Sequence, residues 1–473
     1  MAMPSAAPGR LHRPGIPTPG FWGIIGAGAA LMIAITLAVS RDRPELLAAL
    51  LATWMLLDSG LQGALMLTAS RSIRRARQLP PPSPPTQQEQ SSHGPIALTA
   101  IIPAWNAGCG LVGTVASLLE QQDAPEVVLV ADDGSDDNSI NSLISLYGVR
   151  FGKDADGQLG RSQIHPALKL LRKPHTGKAD SLNQALALTR TPWLMVLDAD
   201  TRPLPGAISA LRRSIAGNPD CSAVGGVLIP ICRSTLIGRL LSFFQRREYV
   251  GGQAFRLAWG TLDATLLIAG ACSAFRRREL AEVGGFSTSS WTEDYEVMFR
   301  LHRSARAGGH PLRVHIEPAF QARTEAPASL IGFLRQRRRW AGGLLETLVD
   351  HRDMAGNRRF GALGLLSLAW TSFGLLQPFL VLQLSLITAL TYGTRYSEAL
   401  FSLVAWLIAA RLLWGLAMTQ WALRVYRRSG SGYGSGSVAM ALQTLLQPLL
   451  YAPLQLIAAG WGYISVTRRQ RSW

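Results

Sequence analysis

Charge is scarce in this 473-residue chain, and acid is scarcer than base. Charged residues make up 16%, with 47 Lys and Arg against 30 Asp and Glu and a net charge of +17. With 48% hydrophobic residues, that balance is unusual for a soluble globular protein. Cysteine is rarer still. Cys109, Cys221, Cys232 and Cys272 show no C-x-x-C spacing, which argues against a zinc site and against a disulfide framework. A cleavable signal is not expected either: no A-x-A-like site ends the first apolar stretch, and a second stretch follows soon after.

What the chain has instead is long apolar runs. Residues 21–39 carry no charge, and 46–69 are broken only by Asp58. Three more runs cover 361–390, 399–423 and 437–466. Each is long enough to cross a hydrocarbon core about 30 Å thick. We therefore expect two transmembrane helices over 21–70 and about three transmembrane or re-entrant helices over 359–466. Arg10 and Arg13 precede the first run, and Arg71, Arg74, Arg75 and Arg77 follow the second. Both ends of that pair, including the tail 1–20, are then cytosolic. Arg424, Arg427 and Arg428 place the end of the fourth run on the same side, so the basic tail 467–473 conflicts with a fifth full crossing. Pro448 and Pro453 make 437–466 a candidate for a re-entrant or interfacial segment. Because much of the basic charge flanks these runs, membrane lipid explains it and nucleic acid is not an expected partner.

A Pro/Gln-rich linker, 71–95, leads to a more polar segment, 96–335. There "IALTAIIPAW", "EVVLVADDGS" and "WLMVLDAD" read as buried strands, and "LVGTVASLLEQ" and "KADSLNQALAL" as helices between them. That β-α-β-α-β order implies a Rossmann-like, mostly parallel sheet with helices on both faces. Such sheets bind ligands outside the carboxyl ends of their strands, where two acidic clusters fall.

The clusters are short and each has a plain reading. "ADDGSDDNS" (131–139) suits an Asx-rich turn, and it lacks the Gly and Glu that an EF-hand loop needs. "DAD" (198–200) follows a strand, so Asp198 and Asp200 can point to one side of extended chain and share a hard cation such as Mg2+ or Mn2+. In "WTEDYEV" (291–297), Glu293, Asp294 and Glu296 suit the first turn of a helix. "LRQRRRWAGG" (334–343) reads as a basic helix at a membrane surface, placed at 336–358. Its Trp after three Arg also suits stacking beside phosphate-binding cations.

Taken in order, "DDGS", "DAD", "TED" and "QRRRW" resemble the processive family 2 glycosyltransferases. These include cellulose, hyaluronan, chitin and poly-β-1,6-N-acetylglucosamine synthases. The resemblance covers about 98–345 and the arrangement of flanking spans. "GACSAFRRRELAEVGGF" (270–286) is most similar to the poly-N-acetylglucosamine branch. The resemblance implies a GT-A fold in a cytosolic α/β domain joined to an α-helical transmembrane bundle. It also implies a nucleotide-sugar donor, a divalent metal and inversion at the anomeric carbon. Pro103 and Asp132 or Asp133 would border the uridine, with Lys178 near the donor. Asp198 and Asp200 would hold Mg2+ or Mn2+ and the diphosphate. Asp294 would be the general base, with Glu293 orienting it. Gln336, Arg339 and Trp340 would hold the diphosphate and the acceptor end, with Cys272 and Ser273 on the acceptor side.

The expected activity is elongation of an exopolysaccharide from a UDP-sugar in the bacterial inner membrane. UDP-N-acetylglucosamine is favoured and UDP-glucose is next. No PilZ-like domain with an R-x-x-x-R signature is evident, so cyclic-dinucleotide control would need an accessory subunit. The nearest alternative is a transferase placing one sugar on a lipid acceptor; a non-enzymatic receptor or transporter is the other. Gln377, Gln383, Gln443, Gln447, Gln455, Arg411, Trp370, Trp406, Trp414 and Trp421 in the C-terminal runs suggest a polymer channel starting at Trp340. The other reading of those residues is interhelical hydrogen bonding and interfacial Trp belts.

Overall fold

The computed structural model describes residues 44–78, 96–152, 158–232, 235–375, 397–427 and 436–468, with Ala30 and Ala34 singly. The first apolar run, the linker 79–95, the tail 469–473, Gln377 and Gln383 lie outside the described residues. The second run is carried by α1 (Pro44–Gln78). Next come β1 (Leu98–Ala104), α2 (Gly110–Leu119), β2 (Val127–Asp132) and α3 (Ser139–Tyr147). A hairpin of β3 (Val149–Phe151) and β4 (Leu159–Ser162) precedes β5 (Leu168–Arg172), α4 (Lys178–Leu188) and β6 (Trp193–Leu197). Then follow β7 (Thr201–Pro203), α5 (Ala207–Gly217), β8 (Ala223–Ile231) and α6 (Leu236–Gly260). The domain closes with β9 (Cys272–Arg276), α7 (Arg277–Glu282), α8 (Glu293–Ala307) and β10 (Val314–Glu325). Beyond it are α9 (Leu330–Asp350), a π-helical stretch at Leu363–Leu368, α10 (Ser397–Arg427), α11 (Ser437–Leu450) and α12 (Ala452–Thr467).

The sheet runs β3-β4-β5-β2-β1-β6-β9-β8-β10-β7. Its centre, β5-β2-β1-β6, is parallel as expected. However, β9 is antiparallel to both β6 and β8, and the hairpin and β7 are antiparallel as well. The sequence did not reveal these directions because strands buried on both faces read as continuous apolar runs whichever way they point. Leu98, Ala100 and Ile102 of β1 enter one core cluster and Ile101 enters the other, as alternation requires. Both faces are thus covered, and only the strand ends are left for a ligand.

Helix α9 begins at Leu330, where the Ser329 hydroxyl accepts from Gly332 N at 3.2 Å. The helix therefore crosses the boundary expected at 335/336. It packs closely on α12: a Cβ on Gly462 would lie 2.6 Å from the Arg338 carbonyl oxygen. Among the described residues no single helix is long and apolar enough to cross a membrane; the pair α11 and α12, bent by 52°, passes that test together. The bend falls at Tyr451, between Pro448 and Pro453, where a missing amide donor favours a break.

The polar residues of these helices mostly bind one another. Arg411 Nη1 lies 2.5 Å from Asp58 Oδ2, Trp414 Nε1 donates to Gln62 Oε1 at 2.9 Å, and Trp421 Nε1 donates to Ser70 Oγ at 2.9 Å. All three tie α10 to α1. Gln447 is bonded to Arg247, and Gln455 to Glu248 at 3.2 Å. Trp406 is 73% exposed on the outer face of α10, so it lines no passage between the described helices.

Candidate active site

The apolar run of β6 stops at Leu197, and Asp198, Ala199 and Asp200 form the turn after it, with Thr201 N donating to the Asp198 carbonyl at 3.0 Å. The two carboxylates therefore converge through a turn and not through strand alternation. They line one wall of a cavity of about 380 Å3. Burial and the Asp198 charge push Asp200 up to about 6.

Lys178 opens α4 and reaches across the cavity. Its Nζ lies 2.7 Å from Asp198 Oδ1 and 2.9 Å from Glu293 Oε1. Burial disfavours the ammonium, yet these two carboxylates hold its pKa above the ordinary range. One lysine thus joins the acid pair after β6 to the acids that open α8.

In α8, Glu293 and Asp294 line the cavity. Burial works against ionisation of Glu293, but Lys178 and Arg339 outweigh it and keep the carboxylate below its usual range. Asp294 is raised, first by burial and then by the Glu293 charge. Its Oδ2 accepts from Gly270 N at 3.2 Å and its Oδ1 from Tyr295 N at 3.1 Å. Glu296 sits in the same first turn but lines no part of the cavity. It grips Arg300 at 2.6 Å, and Arg300 Nη2 goes on to the Gly285 carbonyl at 2.7 Å.

Gln336, Arg339 and Trp340 of α9 close the cavity. The Gln336 Oε1 atom is buried without a hydrogen-bond partner. The arginines between them face elsewhere. Arg337 bonds Glu248 at 2.6 Å, and Arg338 bonds Ser465 at 3.0 Å while lying 4.7 Å over the Trp461 ring. The fourth wall carries no motif: Glu248, Tyr249, Gly252, Gln253 and Arg256 present one face of α6 to the cavity. The signal was helical spacing of polar and aromatic residues within 248–256, between two strands.

Other expected residues lie outside this cavity. Asp132 Oδ1 accepts from Ser135 N at 2.9 Å, the Asx turn of the plain reading. Asp133 pairs with Lys173 and accepts from Thr176 N and Gly177 N at 2.9 Å each. Burial opposes its charge, yet these donors keep it below its ordinary value. Both acids, with Pro103 facing Ala131 in the β1–β2 register, shape the strand-end loops. A Cβ on Gly134, at φ +74°, would meet His175 N at 2.8 Å. That histidine stacks on the exposed Trp105 ring at 4.6 Å. Cys272 and Ser273 are a correction: both are fully buried in β9. A buried strand keeps both faces in the core, and the preceding Ala269, Gly270 and Ala271 line the cavity instead.

Strand-end carboxylates facing a basic helix across one cavity belong to a transferase of the GT-A class. Residues 99–284 match the family model described as glycosyl transferase family 2, and residues 193–418 match that of glycosyl transferase family group 2. Both matched segments are glycosyltransferase family 2 regions, and the chain is a glycosyltransferase. A poly-beta-1,6-N-acetyl-D-glucosamine synthase of Staphylococcus aureus (strain MSSA476) is 24% identical over 267 residues, covering 56% of this chain and 58% of the relative. The synthase of the same name from Staphylococcus epidermidis is 23% identical over 252 residues, covering 53% of this chain and 55% of the relative. The chain thus spans little more than half the length of these curated relatives. Among solved structures, a mannosyltransferase from Pyrobaculum calidifontis in complex with GDP-Man and Mn2+ shares the fold. Its TM-score is 0.54 at 20% identity, over 84% of this chain and 99% of that one.

Proposed function

We propose that this enzyme is an inverting, processive transferase that elongates a polysaccharide from a nucleotide-activated sugar and moves the product outward. UDP-N-acetylglucosamine is the favoured donor and UDP-glucose the next. Its setting is the bacterial inner membrane, with the GT-A domain on the cytosolic side and lipid around α1 and the C-terminal helices. Exposed Leu236, Ile237, Leu240, Leu330, Ile331 and Leu449 support a lipid-facing surface. One observation carries the chemistry: Asp198, Asp200, Lys178, Asp294, Gln336, Arg339 and Trp340 share a single cavity.

In this reading Asp294 takes the proton of the acceptor hydroxyl. The hydroxyl oxygen bonds the anomeric carbon from the face opposite the diphosphate, and the bond from that carbon to the diphosphate oxygen breaks. Lys178 and Arg339 face the charge that develops on the leaving group. Glu293 fixes Lys178 and keeps the Asp294 proton affinity high. Trp340 offers a flat apolar face to the acceptor sugar, and the unsatisfied Gln336 Oε1 accepts from one of its hydroxyls or from the donor.

A divalent cation fits this donor set. Burial, and after it the like charge of Asp198, raise Asp200 to about 6, and Mg2+ or Mn2+ characteristically takes one or two carboxylates plus substrate phosphates. Bound there, it would supply charge neutralisation at the diphosphate.

A nucleotide-release assay on the membrane-reconstituted chain, with a panel of UDP-sugars and GDP-mannose, tests the reading. Long polymer from UDP-N-acetylglucosamine is expected. A lipid-linked monosaccharide would replace it with the single-transfer reading, and release of nucleotide from no donor would sink both.

A further inference from the structure

Glu248, on the unmarked wall formed by α6, touches two other elements at once. Its Oε2 accepts from Arg337 Nη2 at 2.6 Å and from the Tyr451 hydroxyl at 2.5 Å, and its Oε1 accepts from Gln455 Nε2 at 3.2 Å. Arg337 belongs to α9, and its guanidinium lies 4.1 Å over the Trp340 ring. The Nε and Nη1 of that arginine are buried without hydrogen-bond partners. Glu248 is therefore the carboxylate that fixes a largely buried cation against the acceptor-side tryptophan. Tyr451 is the residue at which α11 and α12 bend by 52°. Its ring is wedged at 5.2 Å from both Phe244 of α6 and Phe333 of α9.

We propose that Glu248 is a positioning residue that sets the pose of Trp340 through Arg337 and couples that pose to the bent helix pair through Tyr451 and Gln455. The proposal rests on the acceptor role given to Trp340 above. Hydrogen bonds between charged partners are the strong ones, and a buried cation deprived of its acid is not left where it was. A shift of α12 at the bend therefore pulls on the same carboxylate that holds Arg337 beneath the tryptophan ring. The bent pair thereby senses whether an acceptor sugar is seated, and the acceptor's register depends on the bend.

The test uses the full chain in lipid nanodiscs, the nucleotide sugar that the wild type turns over, and a β-linked N-acetylglucosamine oligosaccharide as acceptor probe. Glu248→Gln keeps the size and a bond to Tyr451 but removes the charge facing Arg337. It is expected to raise the acceptor KM about tenfold or more, with the donor KM changed less than about threefold. Glu248→Asp should recover part of the loss, which a merely structural defect would not allow. Tyr451→Phe should shift the acceptor KM in the same direction, and since the Tyr451 hydroxyl also accepts from Arg337 Nη2 at 3.3 Å, the two losses should be less than additive in the double variant. An acceptor KM unchanged in Tyr451→Phe, or a Glu248→Gln effect on both substrates alike, overturns the coupling. If Glu248→Gln does not fold, Tyr451→Phe decides alone. A wild type that releases nucleotide from no sugar defeats the proposed function itself, a result distinct from an active wild type with indifferent variants.

Discussion

Glu293 and Asp294 are neighbours at the start of α8, yet Lys178 bonds the first, at 2.9 Å, and not the second. The consequence is a split pair. Glu293 is held ionised by Lys178 and Arg339, while Asp294, buried beside that fixed charge, is raised. In the proposed mechanism these two adjacent carboxylates, pushed apart in this way, serve as an anchor and a proton acceptor. The bland reading of the three acids as helix-start charges suits Glu296 in position only, because its carboxylate is committed to Arg300.

Asp294→Asn should lower kcat by about 10²–10⁴-fold and leave nucleotide affinity within a few-fold, because a base acts only in the transition state. Calorimetric binding of UDP with Mn2+, set beside turnover, checks both halves. A variant keeping more than half of wild-type turnover would remove Asp294 from the role.

Glu293→Gln should move the acid limb of the rate profile to lower pH. Asp294 works only when ionised, so activity falls as pH drops through its pKa. Burial and the Glu293 charge raise that pKa, so losing the charge lowers it. The remaining Lys178 and Arg339 cations act in the same direction. Total activity should fall as well, because Lys178 loses one of its two anchors. An acid limb that stays put or moves upward in a pH series of kcat/KM would contradict the electrostatic account.

Asp200→Ala should abolish metal-dependent nucleotide binding, and excess EDTA should stop the wild-type enzyme. The same acid gives a stability test. Burial and Asp198 raise Asp200 from 3.8 to about 6, so the native state holds this proton more tightly than the unfolded chain. Its ionisation therefore destabilises the fold progressively as pH rises from near 4 to about 6, with the full cost above that. Melting curves of the metal-free protein should show this loss, and Asp200→Asn should remove its share. Identical pH slopes for the two proteins would refute it.

Gly343→Ala should cost about 1–3 kcal/mol, the usual range for overpacking. A Cβ there would lie 2.9 Å from the Thr292 Cβ, and Thr292 is a buried, branched side chain next to Glu293. The helix carrying Gln336 and Arg339 would be wedged away from the acids it faces. Turnover should fall together with the melting temperature. Unchanged melting would mean that the two elements are not in contact as described.

Much of this arrangement was legible from residue order. Strands β1, β2 and β6 announce themselves as apolar runs, the last two ending in acids, and α4 spans the segment its periodicity marked. Strand direction was not legible, since β9 has the same apolar character as the neighbours β6 and β8 to which it runs antiparallel. That ambiguity also misplaced Cys272 and Ser273: a segment resemblance puts a strand near the site, but the pleat decides which atoms reach it. The α6 wall carried no motif, and its identity depends on contacts between residues some 80 to 200 positions apart, such as Glu248 with Arg337 and Tyr451.

Asp58 and Arg411 show the same limit from the other side. Each stood out as a lone charge in an apolar run, and the structure joins them across 353 positions, at 2.5 Å. Asp58 is buried, whereas the Arg411 side chain is 47% exposed. Removing the acid leaves a cation with one fewer partner; removing the base leaves a buried carboxylate with only Gln62, at 2.7 Å. Arg411→Gln should therefore destabilise more than Asp58→Asn, by about 1–2 kcal/mol after discounting the exposed partner. The double neutral variant should recover most of that loss, because amide and carboxamide can bond each other without a stranded charge. Unfolding of the nanodisc-embedded chain, measured as a double-mutant cycle, decides it. Strictly additive losses would mean that the pair does not hold α1 to α10.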